Sequence, residues 1–511
     1  MKSIEAQLQL LSSVQPGHEL WVAFLNQLNP LELNASEIKR LQSTFRDWPR
    51  GLRRIYLTRA DADDSATSDF MSIEEACIAG NLSLLFADTI YVTDAIYAKD
   101  KHLVHLDSAA FQANISHIAE LHVEVYRHDS PTFTLFSDLK ALRSLHIKVN
   151  IAREHIIDHR VDLYSLLHGS AQKLIELSIT DWSGRFHSDL FVGMRFDALT
   201  QLRLDVTQLD TTDDDVEFMR GLLEEEALGA LKHLYLSLDE LADTWLRDDP
   251  RQAKPLLTSL YLAVESPIGL NTFRALMSHS SLRELKKLTL VSVFSDTEEA
   301  KQGVEVLAQS PCADSLESLT LTHLNLTKTH TPWVYPPNLS ELNLVHSVID
   351  RDLIVALLQS ALSLKRLLLG GLDFGNFVAQ SIVNSPLAER LECLMIYLGQ
   401  LDDAGLEQLL TASSLSHLTE LYLDHNELTD TSAHLWRGAS NLSNLMTLSL
   451  NENRGLGDAT LESIVQSSCL SDLRHLNFRN RSSRDCLLRL QKLQGYSRFI
   501  SFNVIEEPQE R

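Results

Sequence analysis

No apolar run in this chain approaches the roughly 20 residues that a helix needs to cross a bilayer, so no membrane span is expected. Cysteine is scarce and scattered: Cys77, Cys312, Cys393, Cys469 and Cys486, with no CxxC pair among them. An odd, dispersed set reads as reduced thiols in a cytosolic or nuclear protein, with the cytoplasm the expected location, and not as a disulfide framework. The opening stretch "MKSIEAQLQLLSSVQPGHELW" interrupts its apolar positions with charged and polar ones, so it does not read as a signal peptide. The sequons at Asn81 and Asn325 therefore carry no weight. Positive charge is also short. Lys and Arg number 45 against 69 Asp and Glu, a net charge of −24. Such a balance repels phosphate backbones and argues against nucleic acid as a ligand. It either solvates a large surface or draws in a basic protein.

The loops that carry common chemistry are missing as well. There is no GxxxxGK[ST], no GxGxxG and no GxSxG. "REHIIDH" sets His155 and His159 four apart, on one face of a helix, with Asp158 between them, a faint echo of a zinc pattern. Asp stands where Glu is wanted and no third ligand follows, so chance among 20 histidines explains the pair. The glycines of "LLLGGLDFGNF" read as tight-turn geometry. No cofactor, no metal and no enzymatic activity are expected.

What is present is one phrase, written again and again. Apolar-x-x-apolar-x-apolar appears as "LRRIYL" at Leu52, "IAELHV" at Ile118, "LKHLYL" at Leu231 and "LKKLTL" at Leu285. It recurs as "LKRLLL" at Leu364, "LTELYLDHN" at Leu418 and "LMTLSLNEN" at Leu445, and closes with a decayed "FISFNV" at Phe499. The mean interval is about 28 residues, which gives about seventeen units between Leu52 and Phe499. Within "LYL" the two leucines share one strand face and enter the core, while the residue between them points the other way. Between phrases the period becomes helical: in "DDAGLEQLLTASSL", Leu406, Leu409 and Leu410 fall on one face after an acidic start suited to a helix N-terminus.

No such unit buries its leucines alone, so neighbours must stack. A helix is roughly 10 Å wide and strands lie under about 5 Å apart, so the stack bends with its strands inside. The phrase, the period and the "DxGLxxLL" helix opening resemble the ribonuclease-inhibitor-like class of leucine-rich repeats. The resemblance implies an α/β, right-handed solenoid, a horseshoe with parallel strands on the concave face and helices on the convex face, over residues 51–504. The turn asparagine of that class stands at Asn150, Asn426 and Asn453; Thr207, Asp239 or Ser347 replace it elsewhere, and Leu372 cannot. Residues 209–230 read as an acidic amphipathic helix, either solvated or a dock for a basic partner. Residues 323–342 exchange a helix for a proline-rich turn, and 505–511 form a charged tail.

Residues 1–50 allow two readings. They form a helical cap over the first strand, or they are an F-box, which they resemble at Pro16, Glu19, Leu20, Phe24, Leu25, Leu28, Pro30, Leu33 and Trp48. The second resemblance implies a ubiquitin-ligase substrate adaptor that docks a Skp-type protein on residues 12–50. The spacing from Leu33 to Trp48 is too long for it and no V-C-R precedes the tryptophan. Ran GTPase-activating proteins share the repeat class, so a small-GTPase regulator is a further reading by analogy.

The working surface follows from strand register. Outward central positions carry Tyr56, Tyr91, His122 and His146 early in the chain, then Tyr235 and Tyr261, then Leu368, Met395 and Tyr422. Tyr397 lies two residues beyond Met395, and Asp424 two beyond Tyr422. A solvated sheet would show Thr, Ser, Lys and Glu here. The expectation is a protein-binding patch at Leu368, Met395, Tyr397 and Tyr422 with a polar rim including Arg366, Glu420 and Asp424. Strand propensity of tyrosine is the competing explanation. The early row of Tyr56, Tyr91, His122 and His146 is a second candidate, with binding sensitive to histidine protonation.

Overall fold

The structure is a computed structural model. It describes Trp21, Phe24, residues 35–45, 53–58, 70–72, Ala87, 89–93, 115–125, Leu139, 141–149, Leu167, 170–181, 194–206, 228–238, 255–327 and 336–506. Asn150, His155, His159, Thr207, Asp239, most of 209–230, the proline-rich turn at 328–335 and the F-box matches other than Phe24 lie outside the described residues. The chain forms two compact units, Met1–Leu257 and Thr258–Arg511. Among the described residues no helix is long and apolar enough to cross a membrane.

In the first unit the strands are β1 (Arg54–Thr58), β2 (Phe70–Ser72), β3 (Thr89–Thr93), β4 (Glu120–Val125), β5 (Ser144–Val149), β6 (Glu176–Asp181), β7 (Gln201–Val206) and β8 (His233–Leu238). From β3 onward each pairs in parallel with the next, and the register sets Leu121, Leu145, Leu177, Leu202 and Leu234 in one row. None of the five is more than 2% exposed. Burying each leucine stabilises the unit by about 1.5–3 kcal/mol, and only stacked neighbours supply the apolar surroundings. The second strand departs from the phrase. β1 pairs with β3 on one side and with β2 on the other, with Tyr56 opposite both Tyr91 and Phe70. The long interval from Leu52 to Ala87 has room for this extra strand. It covers one backbone edge of β1, which would otherwise present unpaired N–H and C=O groups. Ahead of it, the helix Ala35–Phe45 closes Leu41 and Phe45 around Trp21 and Phe24, all four fully buried.

The second unit is the more regular. Its strands are β9 (Ser259–Val264), β10 (Lys287–Val291), β11 (Ser318–Thr322), β12 (Asn325–Leu326), β13 (Glu341–Leu344), β14 (Val348–Ile349), β15 (Arg366–Gly370), β16 (Cys393–Tyr397), β17 (Glu420–Tyr422), β18 (Thr447–Ser449), β19 (His475–Ser482) and β20 (Ser501–Glu506). β12 and β14 pair in a small sheet of their own; the others form a parallel ladder in chain order. Helices follow the strands, and their acidic first turns do what the sequence suggests. Asp350 accepts a hydrogen bond from the Leu353 amide (2.9 Å), and Asp402 from the Ala404 and Gly405 amides (2.8 and 3.2 Å). Each satisfies donors that the helix leaves unpaired. Asp430 reaches into the next repeat and accepts from the amides of Gly457 and Thr460 (2.9 and 3.1 Å), so one repeat caps the helix of the next. Each unit is an α/β leucine-rich-repeat solenoid with its leucines buried and the alternate residues on the open face of the strands, and in the second unit helices follow the strands on the leucine side.

Two devices turn the chain out of most strands of the second unit. The first is a buried asparagine ladder. Asn453 Oδ1 accepts from the amides of Asn426 and Leu428 (3.2 and 3.4 Å), while its Nδ2 donates to the carbonyls of Leu423 and Leu450 (2.8 and 2.9 Å). Asn426 does the same one repeat earlier for Gly399 and Leu401 (3.0 and 3.1 Å), and Ser347 substitutes for it by accepting from the Leu324 amide (3.2 Å). The second device is a left-handed residue just ahead of that position: Ser292, His323, His346, Gly371, Leu398, His425 and Glu452 all have positive φ. Gly371 (φ +76°) meets this demand without strain, and histidine tolerates it better than bulky residues do.

Candidate functional site

The expected patch sits on the open strand face of the second unit. β15, β16 and β17 place Leu368 opposite Met395 and Met395 opposite Tyr422, and Ser449 of β18 continues the row. All three large side chains are half-buried. They lie against one another across the sheet, neither swallowed by the solenoid nor fully in water. Tyr397 is half-buried two residues beyond Met395, opposite Gly370. Gly370 leaves room for it: a Cβ there would stand 3.1 Å from the Tyr397 carbonyl and from Val345, and 3.2 Å from the Tyr397 ring, so a side chain would push these neighbours back by a few tenths of an ångström. On the other side of Leu368 the row continues with Asn343 and Thr320. Ser449, at the outward position of β18, is only 2% exposed because Asp424 and Asn451 close over it.

A charged clamp bounds one side. Arg366 on β15 reaches across β16 to Glu420 on β17 in a bidentate pair, Nη1–Oε1 at 3.0 Å and Nη2–Oε2 at 3.1 Å. Its Nε also lies 3.3 Å from Glu341. The buried thiol of Cys393 occupies the intervening strand position, and burial pushes it up to about 12. The guanidinium holds the Glu420 carboxyl below its usual range. Glu420 also accepts from the Tyr422 hydroxyl (3.1 Å), and burial next to that carboxylate raises the phenol to about 12. Tyr422 is thus a neutral, oriented side chain. Across the row, Asp424 accepts from Ser449 Oγ (2.7 Å) and the Asn451 amide, while burial holds its carboxyl above the ordinary value.

The sequence reading missed the ring row beside the patch. His323 stacks on His346 (centroids 5.5 Å apart), His346 meets the Tyr397 ring edge-on (5.7 Å), and His425 meets its other side (5.1 Å). The three histidines are exposed. All occupy the left-handed turn position, so "LTH", "LVH" and "LDH" at the strand ends were the available signal. Leu398, in the same column, is 43% exposed beside Tyr397.

The second candidate lies in the first unit. Tyr91, His122 and His146 stand opposite one another on β3, β4 and β5 and stack nearly parallel, at 4.1 Å and 14°, then 4.2 Å and 10°. Tyr56 shares their backbone register; its side chain lies outside the described residues. Glu120 Oε1 is 2.6 Å from His122 Nε2, and this hydrogen bond holds the carboxyl low. Burial, with His122 alongside, lowers the basicity of His146. Tyr235 carries the Arg203 guanidinium on its face at 3.8 Å. Tyr261 is half-buried on β9 of the second unit, opposite Thr289. Of the expected site residues in this row the structure brings the side chains of Tyr91, His122 and His146 together, and Tyr235 and Tyr261 lie on other strands, β8 and β9.

No family model matches this chain, and no curated protein sequence matches it. Solved structures do. An internalin of Listeria monocytogenes is 15% identical over 97% of this chain and 99% of its own, with a TM-score of 0.31. The Toll–Spatzle complex of Drosophila is 16% identical over 82% of this chain and 54% of the other, at 0.38. The yeast Rad7 and Elc1 complex is 13% identical over 92% of both chains, at 0.34. At scores this low the fold rests on the strands and registers described above.

Proposed function

We propose that this protein is a non-enzymatic scaffold that holds a partner protein on the concave strand face of its second unit, anchored by Leu368, Met395, Tyr397 and Tyr422. One observation carries the reading: four apolar or aromatic side chains are contiguous in register on an open face, half-buried, and bordered by the Arg366–Glu420 clamp. Anchors already held by neighbours lose little rotamer freedom on binding. Rigid aromatic residues inside a polar rim are the groups that dominate binding energies. The net charge of −24 favours a partner with a basic rim around an apolar centre.

The test uses a purified partner. Tyr397→Ala and Tyr422→Ala should each weaken its binding by about 1–3 kcal/mol and leave the thermal unfolding midpoint of the chain close to wild type. Equal affinity in all three proteins removes the patch from the interface. The adaptor alternative, with a Skp-type protein on residues 12–50, has Phe24 as its one described match, and Phe24 is closed off at 0% exposure against Trp21 (5.7 Å) and Phe45 (5.0 Å). That enclosure favours the cap. Recovery of a Skp-type adaptor by the full chain and not by one lacking residues 1–50 would reverse the preference.

A further inference from the structure

We propose that Glu120, His122 and His146 form a binding site for a divalent transition-metal ion, of the zinc type, on the open strand face of the first unit. Glu120 and His122 are two residues apart on β4 and so share a face; His146 stands directly opposite His122 on β5. One donor atom from each lies within 4.8 Å of the other two. A tetrahedral zinc ion with bonds near 2.0–2.1 Å holds its ligands about 3.3 Å apart, so the three donors need to shift by roughly an ångström. Strands fix the Cα positions, and the side chains supply that shift.

The donor set selects the ion. Two imidazoles and one carboxylate suit zinc and its neighbours, whereas magnesium and calcium take oxygen ligands alone. A Ser144 hydroxyl 2.9 Å from His146 Nε2 and 3.2 Å from Glu176 ties that ring to a second carboxylate, and Thr89 stands 3.5 Å from Glu120. Outer contacts of this kind orient metal ligands and sustain affinity. Three protein ligands leave a fourth position open on the strand face, for water or a donor from a bound molecule.

Binding has a structural consequence. The two imidazoles lie 4.2 Å apart and 10° from parallel, and no ion lies in both ring planes at once. At least one ring therefore turns about its Cβ–Cγ bond, and the stack opens. The ion takes the place of the proton that His122 and Glu120 now share at 2.6 Å.

Cobalt(II) titrated into the full chain reads the site through its ligand-field absorption, and zinc competition gives the affinity. The expected result is one equivalent of tetrahedral cobalt in the wild type, displaced by zinc. His122→Ala and His146→Ala should each lose that equivalent, Glu120→Gln should weaken it at least about tenfold, and circular dichroism should remain unchanged. His323→Ala, which removes a ring from the stacked pair in the second unit, should leave it intact. The proposal is overturned if the wild type takes up no equivalent, or if a His122→Ala/His146→Ala chain retains the same cobalt spectrum and zinc affinity. It is independent of the patch around Tyr422, whose partner binding these variants should not alter.

Discussion

At the central open position of its strands the first unit stacks the flat rings of Tyr91, His122 and His146, and the second unit sets Leu368, Met395 and Tyr422 at the same position. Beneath both rows the buried positions are alike: Leu121, Leu145 and Leu177 in one, Leu367, Leu394 and Leu421 in the other, none more than 1% exposed. The repeat therefore separates two demands. The inward leucines answer to stacking, and any change there is felt by neighbours on both sides. The outward residue answers only to its lateral neighbours and to whatever binds, so the two faces can diverge while the backbone does not. One face offers ionisable donors held by hydrogen bonds; the other offers apolar bulk framed by an ion pair.

The largest effect expected from a single change tests how far the ladder of the second unit stands alone. Asn453 is fully buried, and truncating it to alanine strands the amides of Asn426 and Leu428 together with the carbonyl of Leu423, while the Leu450 carbonyl keeps its bond from Asn480. The loss should be about 3 kcal/mol or more. Hydrogen exchange of the Asn426 and Leu428 amides should speed up by about 100-fold, while amides of the Leu121–Leu145–Leu177 row keep their protection. Loss of protection in that row as well would show the units to be one cooperative body and would break the comparison.

Much of this was readable before any coordinates, and for one reason: a leucine every second residue allows a strand a single register. The phrase located β15, β16 and β17, and with them the adjacency of Leu368, Met395 and Tyr422. It gave no hint of β2, because Phe70–Ser72 has no leucine triplet and pairs only through the backbone edge of β1. It missed Asn480, which joins the ladder by accepting from the Asn453 amide (2.9 Å) yet stands one residue early relative to its leucines. The β19–β20 pairing shifts register between Phe478 and Arg481, which absorbs the discrepancy. The histidine column escaped for a different reason. His346 and His425 look like solvated turn residues until the structure shows the turn to be left-handed and the rings aimed at Tyr397.

The two carboxylates that flank the second face should respond oppositely to pH, a smaller effect that sharpens its description as a framed apolar surface. Glu420 is held below its ordinary range by Arg366. Its contribution is therefore present above the unfolded carboxylate range and fades as pH falls through the lower folded value. Glu420→Gln should destabilise the chain at neutral pH by about 1 kcal/mol, a bidentate but partly solvated pair, and the deficit should vanish in acid. Asp424 is raised by burial. Its charge opposes folding at neutral pH, and the native state takes up a proton first as the solution is acidified, relieving that opposition above the unfolded value. Asp424→Asn, which keeps an acceptor for Ser449 and Asn451, should raise the neutral-pH unfolding free energy by about 0.5 kcal/mol. Urea unfolding from neutral to acidic pH checks both variants. The advantage of Asp424→Asn should shrink on acidification over the range in which Asp424 protonates in the native state, and the deficit of Glu420→Gln should shrink only at lower pH. Parallel curves for the two variants would mean that burial and the Arg366 clamp do not divide this rim as described.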